Sequence, residues 1–325
     1  SVSLRGKRTH MQAPALCETE LVAVLVCLER GAPHVFTLNN GAILPSGPLM
    51  PGQLSLQKSL REWVRQQTGI QPGHTEQLYT FADTHLGDGH RRVRISYMTC
   101  LPPTAERLEG DHRPHTAALL DIEAQPADPL VSFYTYFPWE DRRHPAHAAL
   151  IAPLLEGLKR WAAQDPARQQ RCAITFGLAG HAWNDELALS RYELLWEVGL
   201  IPESCAQAEP ARVAGLSMQH DYRHVLATAL SRIRAKIRYT SIVFDLLPRH
   251  FTLLHLQQAM EALAGRPMHK QNFRRLVLQQ GLLEETEQMD FSGPGRPARL
   301  YAADNQGQDN CYLAGAKSPL PDLVW

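Results

Sequence analysis

The chain has 325 residues, 44 % of them hydrophobic, and 33 basic side chains against 33 acidic ones. That length fits two domains with a substantial core, and with no apolar run of about 18 residues no transmembrane helix is expected. The basic start, SVSLRGKRTHMQ, has no apolar stretch behind it, so no secretory signal is predicted. Six cysteines (Cys17, Cys27, Cys100, Cys172, Cys205, Cys311) are scattered without a Cys-x-x-Cys pair. They argue against a disulfide framework and against a thiolate metal site, and the expectation is reduced thiols in a cytoplasmic protein.

Residues 1–18 read as an N-terminal tail. ELVAVLVCLE (20–29) is a short continuous apolar run, the pattern of a buried strand. RGAP turns the chain, and HVFTL (34–38) returns as a second strand. Leu44 to Ile70, LPSGPLMPGQLSLQKSLREWVRQQTGI, has the loop-then-helix outline of a Nudix box. That box runs Gly, five residues, Glu, seven residues, then Arg-Glu-apolar-any-Glu-Glu-any-Gly-apolar. Its carboxylates share one helix face, where hard oxygen ligands gather magnesium beside a diphosphate. Registered from the left, Gly47 and Arg61-Glu62 fit, Gln53 replaces the first Glu, and Arg65-Gln66 replace the Glu pair. Registered from the right on Thr68-Gly69-Ile70, the pair becomes Gln66-Gln67 and Trp63 displaces the earlier Glu. Neither register retains the metal-binding pair, so no catalytic residue and no metal ligand is assigned. Glu62, the surviving carboxylate, reads as a salt-bridge partner.

TEQLYTFADT (75–84) is a further strand, followed by the loop LGDGH. RRVRISYMTCL (91–101) alternates, with Arg92, Arg94 and Ser96 on one face and Val93, Ile95 and Tyr97 on the other. The middle third is less regular. SFYTYFPWEDRRHP is aromatic and ends in charge, and Tyr134, Tyr136, Phe137 and Trp139 suggest an interdomain cluster. HAALIAPLLEGLKRWAAQ (147–164) has helical spacing, RCAITFGL (171–178) is predicted as a strand, and DELALSRYELLWEVGL (185–200) as a helix closed by Gly199 and Pro202. AQAEPARVAG resembles a linker. HDYRHVLATALSRIRAKIRY (220–239) predicts a long basic amphipathic helix with Val225, Ala229, Ile233 and Ile237 in step.

Thr252 suits the N-cap of a helix lined by Leu253, Leu256, Met260 and Leu263, and Gly265 stops it. Pro267 suits the start of the next helix, MHKQNFRRLVLQQ, which ends at Gly281. Two helices so tightly joined, then LLEETEQ (282–288) and RPARLYAAD (296–304) as a hairpin, make a winged helix-turn-helix. On the second helix Phe273, Leu276 and Val277 face inward while Gln271, Arg274 and Arg275 face out, with Lys270 at the margin. Arg can read guanine, Gln adenine, and Lys can neutralise phosphate. Arg296 and Arg299 in the hairpin extend this surface. From Arg223 to Gly281 ten basic residues (Arg223, Arg232, Arg234, Lys236, Arg238, Arg249, Arg266, Lys270, Arg274, Arg275) stand against two acidic ones, Asp245 and Glu261. That surplus suggests a polyanionic partner. His220, His224, His250, His255 and His269 share the zone without metal-ligand spacing.

EQLYTFADTH, HDYRHVLATALSRIRAKIRY and FTLLHLQQAMEALAGRPMHKQNFRRLVLQQGLLEET…GRPARLY together resemble the Nudix-related transcription regulators of NAD metabolism, the NrtR-like proteins. YFPWEDRRHP and SRYELLWEVGLIPE are more similar to the NadQ branch. The resemblance spans about Glu20 to Tyr301. It implies an α+β chain. A Nudix-like mixed sheet with helices (19–240), extended by a helical insertion near 137–210 and a long linking helix 220–239, precedes a winged-helix DNA-binding domain (241–304) and a C-terminal tail (305–325). It implies a homodimeric repressor of NAD biosynthesis genes on a palindromic double-stranded operator, without a membrane partner. The DNA-contacting residues would be His269, Lys270, Gln271, Asn272, Arg274, Arg275, Arg296 and Arg299. No cofactor is required, and the effector would be ATP, ADP-ribose or nicotinic acid. For the effector, Arg92, Arg94 and Ser96 offer polar contacts, and Phe36, Phe81 and Tyr97 offer rings to stack on. The alternative is a magnesium-dependent nucleotide pyrophosphohydrolase of the Nudix type.

Overall fold

A computed structural model describes residues 17–52, 55–83, 91–109, 129–204, 214–237, 242–293 and 295–304. The tail before residue 17, Gln53, the LGDGH loop, most of the linker-like stretch, Arg238 and Tyr239, and the tail from 305 lie outside the described residues.

Strand β1 (Cys17–Glu29) is the middle of the sheet. Leu21 to Cys27 are all buried, which is why the run is apolar without alternation: both faces are covered. It pairs parallel with β5 (Arg91–Cys100) and antiparallel with β2 (Ala32–Phe36). The order is β4-β5-β1-β2-β6, with β4 (Glu76–Asp83) and β6 (Leu130–Ser132) at the edges and β3 (Ser46–Pro48) pairing with the start of β1. The second predicted strand, 34–38, ends at Phe36 instead, because Leu38 bridges Ile43 across a turn with positive φ at Asn39 and Asn40.

Helix α1 (Leu56–Thr68) covers one face of the sheet with Leu60 and Val64. The Ser55 hydroxyl accepts from Lys58 N–H (3.3 Å), and Gly69 ends the helix in the left-handed conformation. The Gln67 amide closes two bonds on the Ser46 backbone, donating at 2.7 Å and accepting at 3.0 Å. Trp63 donates to the Pro48 carbonyl at 3.0 Å and lies flat over Gly47, where a Cβ would stand 2.2 Å from the indole. Gly47→Ala should therefore cost about 1–3 kcal/mol, the range of an overpacked site. A lower urea midpoint at unchanged slope is the expected reading.

Helix α2 (Thr104–Glu109) is tied to β1 by Glu29, which accepts from the Thr104 amide and hydroxyl. After α3 (Phe133–Tyr136) and a 3-10 turn at Pro138–Glu140 comes a helical layer of α4 (His147–Ala162), α5 (Pro166–Phe176) and α6 (Ala188–Val198). The strand predicted at 171–178 is instead the end of α5. Asp165 caps the amides of Ala167 and Arg168, Pro166 opens the helix, and Gly177 closes it with positive φ. These caps, with Cys172 and Phe176 buried four apart, outweigh the weak strand preference of a short Ile-Thr-Phe run.

Helix α7 (Tyr222–Lys236) covers the second face of the sheet. Val225, Ala229, Ile233 and Ile237 are buried as their spacing predicts, but so are Leu226, Leu230, Arg223 and Arg234. The segment is thus a core element packed on β1, β4, α6 and α8, rather than a basic amphipathic rod. The C-terminal part comprises α8 (Leu253–Ala264), α9 (Lys270–Gln279), β7 (Leu283–Asp290) and β8 (Ala298–Ala303). Thr252 accepts from His255 N–H (3.1 Å) as the cap of α8. Phe251 and Tyr301 exchange two backbone bonds (3.0 and 2.8 Å), adding a third strand position to the wing. Pro267 falls in the turn; the cap of α9 is His269. One continuous core cluster joins sheet, helical layer and winged helix. Among the described residues no helix is long and apolar enough to cross a membrane.

Candidate nucleic-acid interface

Helix α9 is strongly two-sided. Phe273 and Val277 are buried, and Leu276 is partly buried beside them. That anchoring turns His269, Lys270, Gln271, Arg274 and Arg275 to solvent, with Asn272 half-buried and accepting from Arg275 Nη2 at 3.0 Å. Leu278 is also exposed. In the wing, Arg296 is exposed in the loop, while Arg299, also exposed, is ion-paired with Glu285 across the hairpin. Strand β7 carries Glu284, Glu285, Glu287 and Asp290, so the positive field of the winged helix is concentrated on α9 rather than on the wing.

Half of the basic surplus read from the sequence is buried or ion-paired, which narrows the part that can face a polyanion. Arg223 and Arg234 are fully buried, Arg232 and Lys236 both pair with Glu76, and Arg266 pairs with the buried Asp185. Arg238 lies outside the described residues. Arg249, Lys270, Arg274 and Arg275 are the exposed remainder.

A polar hub that the sequence did not reveal fixes the C-terminal helices to the rest of the chain. The Glu140 carboxylate is fully buried and accepts from Arg191 Nε (2.5 Å) and Nη2 (2.9 Å) and from Arg234 Nη1. Burial pushes Glu140 up, but the two guanidiniums outweigh it and hold its carboxyl below the ordinary range. Arg191 lies under Trp183, 3.9 Å from the ring centre. Arg234 Nε donates to Leu263 O (3.0 Å), Arg142 N–H donates to Gly265 O (2.6 Å), and Tyr134 OH donates to Ala262 O. All three acceptors lie at the end of α8, where the turn into α9 begins. A Cβ on Gly265 would stand 2.2 Å from the Glu140 carbonyl oxygen.

In the shell, Glu62 is claimed by its own helix. It accepts from Arg65 (2.7 and 3.2 Å) and from Gln66 (2.7 Å), and these bonds hold its carboxyl below the usual range. The partner is Arg65, three residues on; Arg61 donates to Gly73 O instead. Among the described residues no group of three His, Cys, Asp or Glu could hold a metal ion.

The six residues predicted for an effector do not converge. Period-two alternation sends Arg94, Ser96 and Phe81 to the α7 side, and Phe36 and Tyr97 to the α1 side. Arg94 is fully buried and bound to Glu20 (2.6 Å) and Asp221. Ser96 bonds both ways with the Tyr79 backbone, and Arg92 pairs with Glu18 at 3.0 Å. The alternating polar face is therefore a buried structural network and not an open binding surface.

Residues 243–303 match the family described as the NrtR DNA-binding winged helix domain. Over 94 residues the chain is 37 % identical to the ADPR responsive transcriptional repressor NtrR of Acinetobacter baylyi, which is 29 % of this chain and 37 % of that protein. The chain thus spans a little over a third of the length of that relative. Among solved structures, Shewanella oneidensis NrtR complexed with a 27mer DNA aligns over 90 % of this chain and 95 % of its own, with a TM-score of 0.51 and 18 % identity. A MutT/nudix family protein from Enterococcus faecalis aligns over 91 % and 90 %, with a TM-score of 0.47 and 14 % identity. The C-terminal segment is thus similar to the NrtR DNA-binding winged helix domain, and the chain as a whole has the fold of the Shewanella structure.

Proposed function

We propose that this chain, whose residues 243–303 match the NrtR DNA-binding winged helix domain, is a DNA-binding transcriptional repressor of NAD biosynthesis genes. The observation that carries this reading is the exposed row Lys270, Gln271, Arg274 and Arg275 on α9, within the segment that matches a DNA-binding family. Residues 19–240 form the sensing shell and 241–304 the reading head, with His269, Asn272 and Arg296 completing the contact surface. The repressor acts as a homodimer on a palindrome, one α9 per major-groove half-site. ADP-ribose is the favoured effector, since the Acinetobacter relative is named for its response to it; ATP and nicotinic acid are the other candidates. Hydrolysis is not part of the function, because Arg65 and Gln66 both occupy the one carboxylate left in the box.

The test is a mobility-shift titration of promoter DNA from NAD biosynthesis genes. Sequence-dependent binding that weakens steeply with salt is expected, with a shift in affinity on adding ADP-ribose. Binding indifferent to sequence would overturn the repressor reading. Magnesium-dependent turnover of ADP-ribose that disappears in Glu62→Gln would restore the hydrolase alternative.

A further inference from the structure

A cavity of about 510 Å³ lies where the end of the shell meets the segment entering the winged helix. That volume is within the ~300–1,000 Å³ typical of small-molecule sites. Its apolar walls come from both sides of the junction: Met98 and Pro102 from the end of β5 and beyond, Ile242, Phe244 and Leu247 from the segment after α7. Phe244 is held in place by stacking on Phe251 (5.7 Å between centroids, 20° between planes). Glu106 on α2 accepts from Arg249 N–H (2.8 Å) and ties the two sides together.

The polar rim has mixed sign. Glu76, Glu106 and Asp245 stand against Lys236, Arg249 and His74, and Lys236 is already paired with Glu76. With its cations matched by carboxylates, the rim has no positive surplus to hold a diphosphate or triphosphate, so the cavity is unsuited to a polyanion. An apolar wall with an aromatic ring, a carboxylate acceptor and a guanidinium donor suits a flat ring bearing both acceptor and donor nitrogens.

We infer that this junction cavity binds a small, phosphate-free nitrogen heteroaromatic, stacked near Phe244 and held at its edge by Asp245 and Arg249. The site is separate from α9 and from the Glu62 face of the box. It does not depend on the repressor reading, because binding is measured without DNA.

Isothermal titration of the full chain with adenosine, AMP and nicotinamide tests it. Adenosine or nicotinamide should bind wild type, and AMP should bind at least about tenfold more weakly than adenosine, since the rim has no positive surplus to hold its phosphate. Asp245→Asn and the cavity-filling Leu247→Trp should each weaken binding at least about tenfold, with the thermal midpoint of Asp245→Asn unchanged. Absence of binding by both phosphate-free probes overturns the inference. So does AMP binding as tightly as adenosine, or binding that survives both substitutions.

Discussion

Glu140→Gln is expected to destabilise the full chain by about 3–5 kcal/mol, the loss seen when one partner of a buried ion pair is removed. The substitution keeps the shape but leaves Arg191 and Arg234, both fully buried, without their shared counter-charge. A urea titration measures this, and a midpoint within error of wild type would refute the hub as a structural keystone. Replacing all three members with apolar residues, Glu140→Leu with Arg191→Met and Arg234→Met, should recover much of the loss, because the unpaired charge rather than the missing bond is the main cost. The pH dependence has a definite sign. The folded-state carboxyl lies below its unfolded value, so its contribution is complete above the ordinary carboxylate pKa of about 4.3. It is lost as pH falls through the lower folded value. Wild type should therefore lose more stability on acidification below about pH 4 than Glu140→Gln does, over a window set by the carboxylate range.

The second large effect is on DNA. Arg274→Ala and Arg275→Ala should each weaken specific binding by about 1–3 kcal/mol and relax specificity at one operator position, as loss of a base contact does. The double variant should bring specific binding close to the non-specific level. Lys270→Ala should act differently, weakening binding on all sequences and lowering the salt slope by about one counterion. Arg274 and Arg275 are exposed on a helix anchored by Phe273 and Val277, so both variants should fold normally. Affinity unchanged in the double variant would remove α9 from the interface. Arg299 is a weaker candidate than its sequence suggests, because Glu285 faces it across the hairpin.

The two charge clusters show why some residues were legible and others were not. On α9 the local pattern is sufficient: apolar residues four apart define the inner face, and what lies opposite must be outside. The same reasoning misplaced Arg223 and Arg234 on α7. That helix is apolar at Val225, Ala229 and Ile233, yet its second side is also covered, by the helical layer and α8. A helix wheel shows which residues share a face but not how many faces are buried. The partner that makes Arg234 tolerable, Glu140, lies 94 positions away, and such a pair leaves no local signature.

Strand β5 repeats the lesson on a sheet. Its alternation of Arg94 and Ser96 with Ile95 and Tyr97 is real, but its polar face meets α7 instead of solvent, so the guanidinium serves Glu20 and Asp221. The loop-then-helix outline of residues 44–70 was readable, because Ser55, Gly47 and Gly69 set local backbone and close approach. By itself the sequence determined the element types around strong caps and long apolar runs, the winged helix and the outward face of its second helix. Only the tertiary structure decided which charges are internal and that the C-terminal domain is held to the rest of the chain at Gly265. Caps and periodicity act within a few residues, whereas the pairing of a buried charge depends on which distant segment covers it.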